Sequence, residues 1–231
     1  MPMSNLTTFE LVDHVATITM NDGKGNAFGP DMIASVNSEL DRAEAEAKAA
    51  VITGRPGLFS GGFDLKVIRG GDQKAAIAMR LAGSRLMMRL YGHPQPLVMA
   101  ATGHAVALGA FCLLTGDYRI GTEGDFRIGL NETAIGMSLP PFGLMLARER
   151  LTRSFLTRAA IAATMFSPTE AKAAGFLDEV VSADELPQRA QEQARALVEL
   201  DGSAYATVKQ GLRGESIARI VEGFDTGPKS A

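Results

Sequence analysis

Glu132 is the residue whose type and setting best suit proton transfer. It lies in the stretch F-R-I-G-L-N-E-T-A-I-G-M at 126–137, which is largely apolar and has glycine on both sides of the carboxylate. Burial in such a setting raises the pKa of a carboxyl group towards the range of a general base. An exposed loop glutamate is the alternative, because glutamate is rarely buried. The stretch alone leaves both interpretations open.

Two glycine-bearing segments could supply the donors that such a reaction needs. They read L-F-S-G-G-F-D-L-K at 58–66 and G-H-A-V-A-L-G-A-F at 103–111. Glycine in a turn lets backbone approach a ligand, and a helix that begins after the turn leaves its first N–H groups unpaired. Such N–H groups bind an oxyanion, so the three segments together predict proton abstraction next to a carbonyl. Each turn alone is equally compatible with a simple tight connection.

The composition is that of an ordinary globular chain. Its 231 residues are 46% hydrophobic and 21% charged, which is enough for one large core. The net charge is -3, and lysine and arginine are scattered rather than clustered. We therefore expect small-molecule or protein partners, and no nucleic acid or membrane surface.

The sequence offers little for metal or disulfide chemistry. Cys112 is the single cysteine, which is typical of a reducing compartment. The histidines His14, His93 and His104 match no metal-ligand spacing, so no metal site is predicted. The N-terminus lacks a basic region followed by an apolar run, and no apolar stretch is long enough to span a bilayer. We expect a cytoplasmic location.

Hydrophobic patterns predict an α/β fold with parallel strand pairs, followed by a mainly helical region. Strands are predicted at 9–20 (a hairpin or bent edge strand), 50–53, 96–102, 118–122, 125–128 and 177–181. Helices are predicted at 30–48, 72–91, 108–115, 141–150, 152–163, from a capping box at 167, and at 183–211 and 214–223. A loop at 56–62, a helical turn near Phe63 and a frayed tail at 224–231 complete the pattern.

The order of these segments resembles the crotonase (enoyl-CoA hydratase/isomerase) superfamily. G-N-A-F at 25–28 resembles its N-A-L loop, and the segments at 60–66 and 103–111 resemble its A-G-A-D-[IL]-K and G-x-A-x-G-G-G-x-E segments. G-L-N-E-T-A-I-G at 129–136 is most similar to the G-L-N-E-T segment of mitochondrial-type Δ3,Δ2-enoyl-CoA isomerases. F-S-P-T-E-A-K-A-A-G-F-L-D-E-V-V at 166–181 resembles the family's late helix-strand signature.

This resemblance implies an architecture and a ligand. It implies a crotonase-type spiral of ββα units at 1–181 that binds acyl-CoA, and a helical C-terminal region at 182–231 that serves trimerisation. The substrate is then an acyl-CoA thioester, with coenzyme A as part of the substrate and no separate cofactor. The expected assembly is a homotrimer or a dimer of trimers.

The resemblance also implies roles for individual residues. The backbone N–H groups of Phe63 and Leu108 form the oxyanion hole, and Glu132 is the acid that serves hydration and isomerisation. Residues expected to contact the substrate are Lys24, Asn26, Gly62, Asp64, Leu65, Lys66, Gly109 and Phe111. Residues 63–66 are expected to border the adenine of coenzyme A, and Lys24 to meet a phosphate.

One departure from the family pattern decides between reactions. Phe111 occupies the position of the first glutamate of the hydratases and cannot activate water. Leu108 replaces a glycine, and L-P-P-F-G at 139–143 replaces the usual P-G-x-G-G. The sequence therefore favours a Δ3,Δ2-enoyl-CoA isomerase with a single glutamate base. The alternatives are an enoyl-CoA hydratase, a non-catalytic acyl-CoA-binding protein, and a serine peptidase with Ser60 as nucleophile and His93 or His104 as base.

Overall fold

The chain folds into two sheets of mainly parallel strands that are connected and covered by helices. A computed structural model describes residues 6–226. The strands are β1 (Thr7–Val12), β2 (Val15–Met20), β3 (Ala49–Thr53), β4 (Gly57–Ser60), β5 (Leu97–Ala101), β6 (Gly103–Val106), β7 (Tyr118–Thr122), β8 (Ile128–Gly129) and β9 (Glu179–Val181). The helices are α1 (Pro30–Glu46), α2 (Leu65–Arg69), α3 (Gln73–Tyr91), α4 (Leu108–Thr115), α5 (Pro141–Arg150), α6 (Leu156–Ala160), α7 (Pro168–Ala174), α8 (Leu186–Val198) and α9 (Gly202–Thr226), with a short 3-10 helix at Thr133–Ile135.

Repeated ββα units build the molecule, and the two strands of a unit enter different sheets. β3, β5 and β7 lie in a six-stranded sheet ordered β1-β2-β3-β5-β7-β9. β4, β6 and β8 form a second sheet in that order, which we call the inner sheet. The pairings are parallel except for the β1–β2 hairpin. Because each unit adds one strand to each sheet, the chain winds as a spiral. The parallel strands connected by helices confirm the predicted α/β class.

The inner sheet is the part that the sequence patterns missed. Residues 57–60 are strand β4, so the predicted loop at 56–62 is wrong, and 103–106 form the unpredicted strand β6. The strand predicted at 125–128 is reduced to the two residues of β8. Strands this short leave no alternating pattern, so pairing with their neighbours defines them.

Three predicted helices also differ from those in the structure. The helix predicted at 152–163 covers only α6, and the one predicted at 183–211 breaks between α8 and α9. The helix predicted separately at 214–223 is part of α9. Residues 1–5 and 227–231, which belong to the predicted core and C-terminal ranges and include most of the predicted frayed tail, lie outside the described residues. Between residues 6 and 226, no helix is long and apolar enough to cross a membrane.

The central strands β3 and β5 of the six-stranded sheet are buried on both faces, and alternate residues of each strand pack into different cores. In β3, Ile52 packs into the large cluster shared with α1 and α3, whereas Val51 packs with residues of α8. In β5, Met99 packs into the same large cluster, whereas Val98 packs with the residues of α8. The period of two places successive side chains on opposite faces. α8 of the C-terminal region is therefore part of the core layers.

A buried charge cluster holds α9 to the core. The Asp117 carboxylate, just before β7, accepts from Lys209 Nζ at 2.6 Å and from Arg213 at 2.8 Å. It also accepts from the backbone N–H of Leu97 at 2.8 Å. Asp117 and Lys209 side chains are only 8% and 6% exposed. Since removal of one partner leaves the others buried and uncompensated, this cluster is expected to matter for stability.

Asp117→Ala is expected to lower the free energy of unfolding by about 3 kcal/mol. The substitution leaves Lys209 and Arg213 with backbone carbonyl acceptors but without the carboxylate that balances their charges. Urea unfolding followed by circular dichroism measures the change. The matched control is Glu215→Ala, which removes an ion pair with Arg219 whose side chains are 88% and 72% exposed, and it should leave the midpoint unchanged. Equal unfolding midpoints for the two variants would contradict the anchoring role.

Candidate active site

Three segments that follow the strands of the inner sheet meet at one edge of it. β4 ends at Ser60, β6 ends at Val106 and β8 ends at Gly129, and the segments predicted to carry chemistry continue from these ends. Since the strands are parallel, their carboxyl ends lie at the same edge. The N–H of Ala107 donates to the carbonyl of Gly129 at 3.0 Å, which joins the second segment to the third.

A cavity of about 190 Å³ opens at this edge. It brings together the three residues predicted to be catalytic, Glu132, Phe63 and Leu108, and also Leu65 and Phe111. The other lining residues are Gly61, Ile68, Arg80, Ser84, Ala107, Asn131, Ile135, Met137, Ser138, Pro140 and Phe142. Most of this surface is apolar, so a carboxylate in the wall is poorly solvated.

Glu132 is buried at the start of the 3-10 helix. Its carbonyl accepts from the N–H groups of Ile135 and Met137 at 3.0 and 2.9 Å, which fixes the backbone of the tight turn. The residue is 7% exposed, and its Oε2 atom is buried without a partner among the described residues. Burial raises the pKa of the Glu132 carboxyl, and its own backbone N–H opposes this more weakly. This is the environment of a general base rather than of an exposed loop glutamate.

The N–H groups of Phe63 and Leu108 are positioned to act together. Leu108 is the first residue of α4, where an N–H has no partner within the helix. Within residues 6–226, neither N–H group donates a hydrogen bond. Gly62 has φ +95°, and a Cβ there would lie 3.3 Å from the Leu108 nitrogen, so the two segments touch. Ala107 has φ 52°, a strained conformation directly before the second donor.

Buried hydrogen bonds hold the first segment in place. The Ser60 hydroxyl donates to the Asn26 carbonyl at 2.7 Å and accepts from the Gly62 N–H at 3.1 Å. The Asn26 amide donates to the carbonyls of Met20 and Phe59 at 2.8 and 3.1 Å. Ser60 and Asn26 are both 0% exposed. The serine-peptidase alternative is therefore wrong, and the Asn26 side chain supports the loop rather than facing the cavity.

The remaining predicted substrate contacts lie around the cavity rather than in its wall. Gly109 is buried, and a Cβ there would lie 2.4 Å from the Ser60 carbonyl, so this glycine permits close packing of α4 on β4. Asp64 accepts from the N–H of Lys66 at 2.8 Å and caps α2. Lys24 and Lys66 are exposed. The predicted substrate contacts of these residues and of Gly62 stay predictions, as does that of Leu65 in the cavity wall.

Phe111 forms an apolar wall of the cavity. It is 1% exposed and packs edge-to-face against Phe142, with ring centroids 5.5 Å apart. A Cβ on Gly143 would lie 2.6 Å from its ring, so this glycine allows the ring to pack against the α5 backbone. Among the described residues that line the cavity, Glu132 is the one carboxylate. The arrangement thus provides one proton-transfer group and two N–H donors.

Sequence reasoning missed several residues of the cavity. Arg80 and Ser84 reach it from α3, and Asn131 contributes a buried Oδ1 atom without a partner in the described chain. Asn131 lies beside Glu132 in the largely apolar stretch at 126–137. A polar side chain in such a stretch is a signal that could have identified it as a residue of the site. Arg80 and Ser84 stand on the polar side of a helical pattern, where nothing in one sequence distinguishes a cavity wall from a solvated face.

Comparison with known proteins decides the family of this chain. The family model described as Enoyl-CoA hydratase/isomerase matches residues 10–225. The chain belongs to the enoyl-CoA hydratase/isomerase family. It is 32% identical over 197 residues to a putative enoyl-CoA hydratase of Thermus thermophilus, a match that covers 80% of this chain and 74% of that relative. The predicted membership of the crotonase superfamily is confirmed.

Solved structures of the enoyl-CoA hydratase/isomerase family share the fold. A family protein from Pseudomonas syringae superposes with a TM-score of 0.93 at 45% identity, covering 97% of both chains. Human mitochondrial delta3-delta2-enoyl-CoA isomerase superposes with a TM-score of 0.90 at 26% identity, covering 94% of this chain and 86% of that one. The predicted crotonase-type fold with a helical C-terminal region is confirmed.

Proposed function

We propose that the protein is a Δ3,Δ2-enoyl-CoA isomerase. The observation that carries this proposal is one buried carboxylate, Glu132, in the same cavity as the unpaired N–H groups of Phe63 and Leu108, with Phe111 in place of a second acid. The similarity to human delta3-delta2-enoyl-CoA isomerase supports it. The similarity to a putative hydratase of Thermus thermophilus keeps enoyl-CoA hydratase as the alternative.

The proposed reaction begins at the thioester carbonyl. Its oxygen accepts from the two N–H groups, and the Glu132 carboxylate removes a proton from C2 of the 3-enoyl group. The electron pair of the C–H bond moves into a dienolate, whose negative charge rests on the thioester oxygen. One donor of such a hole is typically worth about 3 kcal/mol in the transition state.

The same glutamate completes the reaction. As a carboxylic acid it returns the proton to C4, the double bond settles between C2 and C3, and the carbonyl is restored. No atom is gained or lost, so a single acid–base group is sufficient. Phe111 and Phe142 exclude water from this part of the cavity, which disfavours its addition to C3 of the 2-enoyl product.

Two substrates distinguish the candidate functions. We expect the purified protein to convert 3-hexenoyl-CoA to 2-hexenoyl-CoA, seen as a rise in conjugated-thioester absorbance without a change of mass. We expect crotonyl-CoA to remain unhydrated. Rapid addition of one water to crotonyl-CoA would instead favour the hydratase. Tight binding of both esters without turnover would favour a non-catalytic acyl-CoA-binding protein.

The pH dependence of kcat/KM should report Glu132. The base is the carboxylate, so the rate falls as the pH drops through the pKa of this group. Because burial raises that pKa, the acid limb is expected above the ordinary range of a glutamate. Initial rates with 3-hexenoyl-CoA across acidic pH measure the limb. A profile that stays flat down to the pKa of a solvated glutamate would contradict Glu132 as the base.

The assembly state stays a proposal. α9 presents Val208 and Leu212, 62% and 78% exposed, on one side of the helix. Apolar residues at this spacing favour burial against another chain. We retain a homotrimer or a dimer of trimers as the expected assembly, which light scattering on the purified protein measures.

A further inference from the structure

Arg80 is a cation in the wall of an otherwise largely apolar cavity. It lies on α3, one turn before Ser84, and both side chains line the space that Glu132 shares. The Arg80 Nε donates to the carbonyl of Ala76 at 3.3 Å. Among the side chains that the structure describes, those of residues 6–224, no carboxylate forms an ion pair with its guanidinium. The planar fork of this side chain therefore keeps donors available for a ligand.

Arg80 and Glu132 line the same cavity but differ in exposure. Arg80 is exposed, whereas Glu132 is 7% exposed. The base is therefore buried in the cavity wall, and the guanidinium lies where the cavity meets solvent. Apolar side chains of Leu65, Ile68 and Phe142 line the cavity as well. The cavity thus has a reactive end at the base and the N–H donors, and a cationic position at its rim.

We propose that Arg80 binds a carboxylate at the far end of the acyl group, so that the preferred substrates are 3-enoyl-CoA thioesters of dicarboxylic acids. A guanidinium matches a carboxylate through two parallel N–H···O bonds, which a methyl terminus cannot form. Arg80 is exposed at the rim, so water screens the pair and its effect is moderate. This inference rests on the proposed isomerase function for its reaction, but the binding step can be measured separately.

The test compares each neutral ester with its ω-carboxylate counterpart. The pairs are 3-hexenoyl-CoA with 3-hexenedioyl-CoA for turnover, and hexanoyl-CoA with adipoyl-CoA for binding by calorimetry. The variants are Arg80→Met, Arg80→Lys and, as a matched control, Lys74→Met. Lys74 is exposed on the same helix and does not line the cavity.

We expect the wild type to favour the carboxylated ester in both measurements. Arg80→Met should raise KM for 3-hexenedioyl-CoA and Kd for adipoyl-CoA about tenfold, and leave the neutral esters unchanged. Arg80→Lys should give KM and Kd values between those of the wild type and Arg80→Met. Lysine keeps the positive charge but cannot form the two parallel hydrogen bonds of a guanidinium. Lys74→Met should behave as the wild type with all four esters.

Three outcomes would overturn the proposal. An equal loss for both members of a pair would show that Arg80 contacts a phosphate of coenzyme A, the other anion within the ligand. No preference of the wild type, or no effect of Arg80→Met on adipoyl-CoA, would show that the rim binds no carboxylate. If neither unsaturated ester is isomerised while adipoyl-CoA binding still depends on Arg80, the proposed reaction fails and the carboxylate site stands.

Discussion

Glu132→Gln is expected to lower kcat for migration of the double bond by about 10³- to 10⁴-fold, because no other carboxylate lines the described cavity. Glutamine keeps the size of the side chain and its place in the wall, but it cannot accept the C2 proton. Kd for a saturated acyl-CoA should therefore change little. Rates with 3-hexenoyl-CoA and calorimetry with hexanoyl-CoA measure the two effects separately.

The same variant should stay folded. Burial raises the pKa of Glu132 in the folded state, so stability falls as pH rises from the unfolded-state pKa through the folded-state pKa. At neutral pH the buried charge costs free energy that a neutral glutamine does not, so the melting temperature should be equal or higher. Glu123→Gln, at an exposed carboxylate outside the cavity, is the matched control and should keep full activity. Full isomerase activity of Glu132→Gln with intact binding would rule out the mechanism.

Gly62→Ala is expected to lower kcat by about 10²- to 10³-fold, the range for loss of one oxyanion donor. Gly62 has φ +95°, where a side chain is strained, and its Cβ would lie 3.0 Å from both the Val106 carbonyl and the Ala107 Cβ. The two segments have to separate, which moves the N–H groups of Phe63 and Leu108 apart. Rates with 3-hexenoyl-CoA measure the loss.

The control for this substitution is Gly211→Ala, at a helical position in α9 where an added Cβ meets nothing within 4 Å. It should leave kcat unchanged and raise the melting temperature slightly, because alanine is the better helix former. If Gly62→Ala retains full activity, the contact between the two segments does not position the donors. A loss of activity shared by both variants would point to a general effect on the chain.

Local signals in the sequence predicted the outer parts of the fold. The segment predicted at 9–20 as a hairpin or bent edge strand is the β1–β2 hairpin, which turns at Asp13 and His14 with φ 48° and 62°. The capping box of Ser167 and Glu170 begins α7 as expected. Each of these features depends on residues only a few positions apart, so a local sequence pattern is enough to predict it. The order of motifs then identified the family, which the comparisons confirmed.

The sequence by itself pointed to Glu132 and to two glycine-bearing turns, and the tertiary structure decided how these segments meet. Glu132 is a carboxylate in an apolar stretch, and the family resemblance implies the N–H groups of Phe63 and Leu108 as the donors. These segments converge because β4 pairs with β6, whose paired residues lie 45 or 46 positions further along the chain, and because β6 pairs with β8. The two pairings bring three distant strand ends to one edge, where Glu132 is buried and shares a cavity with Arg80. Such contacts are set by packing between separate units, and no local pattern encodes them.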